Sequence, residues 1–96
     1  MEEVAELSEF YNIDNDVALS KKGDKGAFGR TIRKHKHSMY ITARSVMSNE
    51  HDIEDAIADT ILKAYLNIRS LKEDRYFKAW LLKILVNQCY SKLKKK

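Results

Sequence analysis

A chain of 96 residues with no proline, three glycines and 33% charged side chains favours one small all-helical domain over a sheet. Lys, Glu and Arg are good helix formers, and such a length buries a single core. No apolar run approaches the roughly 20 residues of a bilayer span, and four Glu among the first nine residues replace the basic start of a signal peptide. The expectation is a soluble, cytoplasmic protein without membrane insertion. Cys89 is the single cysteine, which excludes an internal disulfide and fits a reducing compartment.

The net charge of +4 conceals segregation. Residues 1–16 hold six acids and no base, whereas residues 21–44 hold eight bases against Asp24. Residues 50–59 carry Glu50, Asp52, Glu54, Asp55 and Asp59 without Lys or Arg, and residues 72–96 carry eight bases against Glu73 and Asp74. Blocks of this kind imply a basic surface for a polyanion and an acidic one for a positive partner; plain solvation is the alternative.

In chain order, residues 1–13 read as an acidic extension in which Val4, Leu7 and Phe10 form at most one amphipathic turn, and residues 14–96 read as the domain. The expected architecture is a compact bundle of about four helices, at approximately 16–22, 24–47, 52–68 and 73–94. Asp14 or Asn15 caps the first, and Gly23 stops it. Asp24 caps the second, which places Phe28, Ile32, Met39, Ala43 and Val46 on a core side and Arg30, Arg33, Lys34, His37 and Arg44 on a basic side. Asn49 or Asp52 caps the third, with Asp55 near its positive N-terminal end.

The third helix has a core stripe of Ile53, Ala56, Ile57, Ile61, Ala64 and Ile68, yet Leu62 and Leu66 project on the far side beside Asp55 and Asp59. Leucines with an acidic rim suit a protein-docking face; chance exposure of two leucines is the bland alternative. On the last helix Phe77, Trp80, Leu81, Ile84 and Leu85 form one apolar arc, and Tyr76, Lys83, Asn87, Tyr90 and Lys94 line up beside it at about 100° per residue. Rings stack on unpaired bases, cations meet phosphates and an amide bonds a base edge, so this stripe suits single-stranded nucleic acid. A solvated face that happens to carry two tyrosines is the competing account.

Enzyme readings fare poorly. His35 and His37 point to nearly opposite sides of a helix and cannot share a metal, and no HExxH, CxxC or glycine-rich phosphate loop occurs. All three histidines read as surface residues. Asp52, Asp55 and Asp59 lie on an outward face without a histidine partner, and Cys89 reads as helix packing. No catalytic residue, metal ligand, cofactor or small-molecule substrate is expected.

Gly23-Asp24-Lys25-Gly26-Ala27-Phe28, the run from Asp55 to Tyr65 and the run from Phe77 to Asn87 together resemble region 2 of the extracytoplasmic-function (ECF) sigma factors of bacterial RNA polymerase. The resemblance covers about residue 16 to the end. It implies a third helix, with Asp52, Asp55, Asp59, Leu62 and Leu66, that docks on the clamp helices of the polymerase β′ subunit. It also implies that the last helix and the loop before it engage the non-template strand of the promoter −10 element. Asn87 would help line a pocket for a flipped base and Leu71 would form part of its wall, with Lys63, Tyr76, Lys78, Trp80, Lys83, Tyr90 and Lys94 as further DNA contacts. An anti-sigma factor is an implied partner. Where the family often has Gln-Glu this chain has Ala58-Asp59, which removes one polar docking group. Such factors continue into a second helical domain that reads the −35 element, so the chain is expected to be a fragment. A helical DNA-binding or adaptor module without a polymerase partner is the alternative.

Overall fold

The computed structural model describes residues 15–95, all helix, turn or short connection. The Val4, Leu7 and Phe10 turn and the Asp14 cap lie outside the described residues. Helix α1 spans residues 15–21, α2 Lys25–Val46, α3 Glu50–Asn67 and α4 Phe77–Lys94, with 3₁₀ turns at Ile68–Ser70 and Asp74–Tyr76. The expected all-helical, four-helix architecture is the observed one.

Gly23 ends α1 as expected, and its φ of 103° explains why glycine stands there. The Gly23 N–H donates to the Ser20 carbonyl and the Asp24 N–H to the Leu19 carbonyl, both at 3.0 Å, the paired bonds of a Schellman ending. Asp24 then turns round as the cap of α2, its carboxylate accepting from the Ala27 N–H at 3.0 Å. One residue thus closes one helix and opens the next. Asn49 caps α3 by accepting from the Asp52 N–H at 3.0 Å, so of the two candidate caps Asn49 serves, and α3 starts two residues before the expected 52.

The core sits where α2, α3 and α4 meet. Ile32, Met39 and Ala43 of α2, Ile53, Ala56 and Ala64 of α3, and Phe77, Leu81, Leu85 and Cys89 of α4 are buried there. Val46, expected in the core, is only half-buried; α2 ends at that residue, and Met47, extended at φ −142° and ψ 158°, supplies the buried side chain instead. Ile57 and Ile61 are also half-buried. The buried hydroxyls of Ser20, Thr31 and Thr60 each donate to a carbonyl four residues back, at 2.6, 3.0 and 2.7 Å, so they cost little in desolvation.

Helix α1 is tied to α2 by Val17 in the core and by Asp16, whose carboxylate accepts from Arg30 Nη2 at 3.0 Å and Nε at 3.2 Å. The Arg30 hydrogen bond holds the Asp16 carboxyl below its usual pKa, against an opposing push from burial. A depressed native pKa stabilises the fold above the ordinary carboxylate range, and that stability is lost as pH falls through the lowered value. Acidification from about pH 5 to about pH 2.5 is therefore expected to lower the melting temperature. Asp16→Asn should melt lower at neutral pH and lose less on acidification, checked by circular dichroism; parallel pH profiles for the two proteins would refute the assignment.

Candidate nucleic-acid and protein-docking faces

Helix α4 buries Phe77, Leu81, Leu85 and Cys89 at steps of four, so the opposite side must face out. Tyr76, Lys83, Asn87, Tyr90 and Lys94 are all exposed along that side, and no residue of α4 is acidic. Tyr76 and Tyr90 are each 53% exposed. A solvated face of this kind leaves flat ring area and cations without competing carboxylates. Trp80 is half-buried on the flank, its ring 5.8 Å from Phe77, so it belongs partly to the core and partly to this face. The His35 ring packs 5.4 Å from the same Phe77 ring, and its Nδ1 lies 2.8 Å from the Thr31 carbonyl. His35 is thus a packing residue and not the surface histidine expected, because α2 crosses α4 at this point.

The DNA-contact set does not fall on one surface. Lys78 is about 150° round α4 from the stripe and lines an α2–α4 groove with His37, Ile41 and Leu82. Lys63 is exposed on α3, and its carbonyl accepts from Asn67 Nδ2 at 2.8 Å. Leu71 is 5% exposed and part of the core, so its side chain anchors the loop backbone and offers no open wall. Arg75 was not singled out in the sequence, yet its guanidinium lies 4.8 Å from the centre of the Tyr76 ring. The expected α-helix from 73 begins instead as a 3₁₀ turn at Asp74–Tyr76, and that tighter turn sets Arg75 over its neighbour.

On α3 the outward face is as expected. Leu62 and Leu66 are 58% and 69% exposed, Asp55 and Asp59 are exposed and Asp52 is half-buried. Two of the carboxylates have partners, one on another helix beyond the reach of spacing along α3 and one four residues back on α3 itself. Asp59 pairs with Lys92 of α4 at 2.8 Å, which raises the Lys92 pKa. Asp55 pairs with His51 at 3.3 Å, correcting the reading that no histidine stands near. His51, Asp52 and Asp55 each bring one donor atom within 4.8 Å of the others, in the first two turns of α3, where Glu50 and Asp52 offset the helix dipole.

Beside the leucines a groove of about 510 Å³ opens between α2 and α3, lined by Tyr40 and His37 on one side and Ile57, Ala58 and Ile61 on the other. Ile57 and Ile61 pack against the core on one side and line this groove on the other. The half-burial of both isoleucines follows. Cys89 is fully buried and burial pushes its thiol pKa up, as a packing cysteine requires.

An all-helical domain with a basic, aromatic outer helix and a leucine-bearing acidic one corresponds to a known class, the second conserved region of bacterial sigma factors. The Sigma-70 region 2 pattern matches residues 31–96, and the chain belongs to that family. It is 33% identical to the ECF sigma factor SigW of Bacillus subtilis over 84 residues, 88% of this chain and 45% of SigW. It is 32% identical to SigM of Mycobacterium tuberculosis over 79 residues, 82% of this chain and 40% of SigM. The chain spans under half the length of these relatives. Among solved structures, an engineered region 2 of sigmaE in complex with GTAAAA superposes with a TM-score of 0.79 at 25% identity, over 86% of each chain. CnrH in complex with the cytosolic domain of CnrY superposes with a TM-score of 0.76 at 29% identity, over 83% of this chain and 52% of CnrH.

Proposed function

We propose that this chain is the −10-reading domain of an ECF sigma factor, a non-enzymatic initiation factor working in the cytoplasm. The observation that carries the proposal is the α4 stripe. Four exposed side chains on an acid-free helix, with Tyr76 in the turn before it, suit a single strand, and they belong to a fold shared with a sigmaE region 2 solved in complex with GTAAAA. Lys83 and Lys94 meet phosphates, Tyr76 and Tyr90 stack on bases, and Asn87 bonds the edge of a base turned out of the strand. Unpairing costs a few kcal/mol and is repaid by contacts that exist only with the open strand. Leu62 and Leu66, rimmed by Asp55 and Asp59, hold the β′ clamp helices of core polymerase. An anti-sigma factor is the expected competitor, since CnrH is solved with CnrY.

No helix among the described residues is long and apolar enough to cross a membrane, in keeping with this role. The test is fluorescence anisotropy with GTAAAA-containing non-template, template and duplex oligonucleotides at two salt concentrations. The non-template strand should bind best, with a Kd of ~1 μM or weaker that rises steeply with salt as counterions are released. Equal affinity for all three would leave only a basic patch. Failure to retain core polymerase in a pull-down, with strand preference intact, would favour the DNA-binding module without a polymerase partner.

A further inference from the structure

Between the buried Leu71 and the buried Phe77, residues 72–76 run with no buried side chain. Their contacts with one another are local: the Tyr76 N–H donates to the Glu73 carbonyl at 3.0 Å, Arg75 reaches Glu73 at 3.7 Å, and Arg75 covers the Tyr76 ring. Among the described residues, one side-chain bond leaves this segment for a distant helix. Lys21 Nζ donates to the Asp74 carboxylate at 2.8 Å across 53 residues of sequence, with the Lys21 side chain three-quarters and the Asp74 side chain two-thirds covered, at 25% and 34% exposure. Lys21 ends α1, which is itself fixed to α2 by the Asp16–Arg30 pair and by Val17 in the core. A continuous set of contacts therefore runs from α2 through α1 to the turn that carries Arg75 and Tyr76.

We infer that the Lys21–Asp74 pair positions the 72–76 turn, so that α1, which lies before the matched family region, helps set which bases the strand-reading face accepts. The inference rests on the promoter-reading assignment above and deepens it: Lys21 and Asp74 are positioning residues, acting through Tyr76 and Arg75. The geometry gives the reason. Leu71 and Phe77 fix the two ends of the segment, but a 3₁₀ turn with no buried side chain has little else to hold its middle. An ordered ring offers a base one stacking geometry, whereas a loose one accepts several. A partly exposed ion pair is a weak interaction, which bounds the effect at about fivefold.

The test uses the 96-residue chain with Lys21→Ala, Asp74→Asn and the exchanged pair Lys21→Asp with Asp74→Lys. One arm reads amide hydrogen exchange at Tyr76 and Phe77, whose N–H groups bond the Glu73 and Asp74 carbonyls. The other reads anisotropy for GTAAAA and its single-base variants, scored as the spread between best and worst sequence. Both single variants should speed exchange at these two amides and narrow the spread by up to about fivefold, and the exchanged pair should restore both. Asp74→Asn is decisive because it removes a negative charge near DNA. As a mere electrostatic change it would strengthen binding to every sequence and leave the spread intact, and that result overturns the inference. So does a uniform loss in Lys21→Ala, which would make Lys21 a phosphate contact. A wild-type chain with no spread refutes the promoter-reading assignment and this use of the turn together, and the exchange arm separates that failure from an absent brace.

Discussion

Leu62→Asp is expected to weaken binding to core polymerase by about 2 kcal/mol or more, roughly 30-fold, the scale of a central apolar anchor in a protein interface. Its melting temperature should move little. Leu62 is 58% exposed on the side of α3 opposite Ile53, Ala56 and Ala64, and surface changes of this kind usually stay within about ±0.5 kcal/mol. Ile53→Asp is the control: at 0% exposure it would bury an unpaired carboxylate, a cost of several kcal/mol against a total stability of about 5 to 15. That variant should not fold. Ile61 is a poorer control because it is half-buried at the rim of the α2–α3 groove. Surface plasmon resonance with immobilised core polymerase, beside thermal melts, gives both numbers. A Leu62→Asp protein that unfolds would show the leucine to be core; one that folds and binds normally would remove α3 from the docking surface. Asp59 is expected to matter less than Leu62, since Lys92 already pairs with it at 2.8 Å and any positive partner must displace that amine.

Helical periodicity alone carried much of this arrangement. Gly23 and Asp24 read correctly because a helix end and a helix start are local events, decided by a positive φ and a side-chain cap within a few residues. The outward faces of α3 and α4 read correctly for a related reason: a two-faced pattern at 3.6 residues per turn needs no knowledge of what lies across the core. What stayed hidden depends on which helix packs where. Lys92 opposite Asp59, Lys21 opposite Asp74 and Phe77 against His35 join residues 33, 53 and 42 positions apart, and no spacing rule within one helix reaches that far. Val46 and Met47 exchanged roles because the last turn of a helix can hand its core position to the extended residue after it. Lys78 shows the limit on the site itself. Its charge matched the expected chemistry, but its angle round α4 puts it in the groove with Ile41 and Leu82.

The α4 stripe predicts a separation between reading and positioning. Asn87→Ala is expected to relax preference at one base by about 1 to 3 kcal/mol, the discrimination of a good side-chain contact to a base edge, while affinity for sequences already mismatched at that base changes little. Lys83→Ala should instead weaken every sequence alike and lower the slope of log affinity against log salt by about one unit. The two residues are exposed four positions apart on the same face, so a strand lying along α4 meets both, and any general disturbance of the helix would move both results together. Their difference therefore reports chemistry: an amide has donor and acceptor atoms that suit one base edge, whereas an ammonium acts as a point charge on a phosphate. Anisotropy titrations with each variant against GTAAAA and its single-base substitutions, at three salt concentrations, measure preference and slope in one series. If Asn87→Ala lowers affinity uniformly with preference intact, Asn87 positions the backbone and the base-capture role passes to another residue of the stripe. If Lys83→Ala leaves the slope unchanged, the strand does not run along this side of α4, and the orientation assigned to it is wrong.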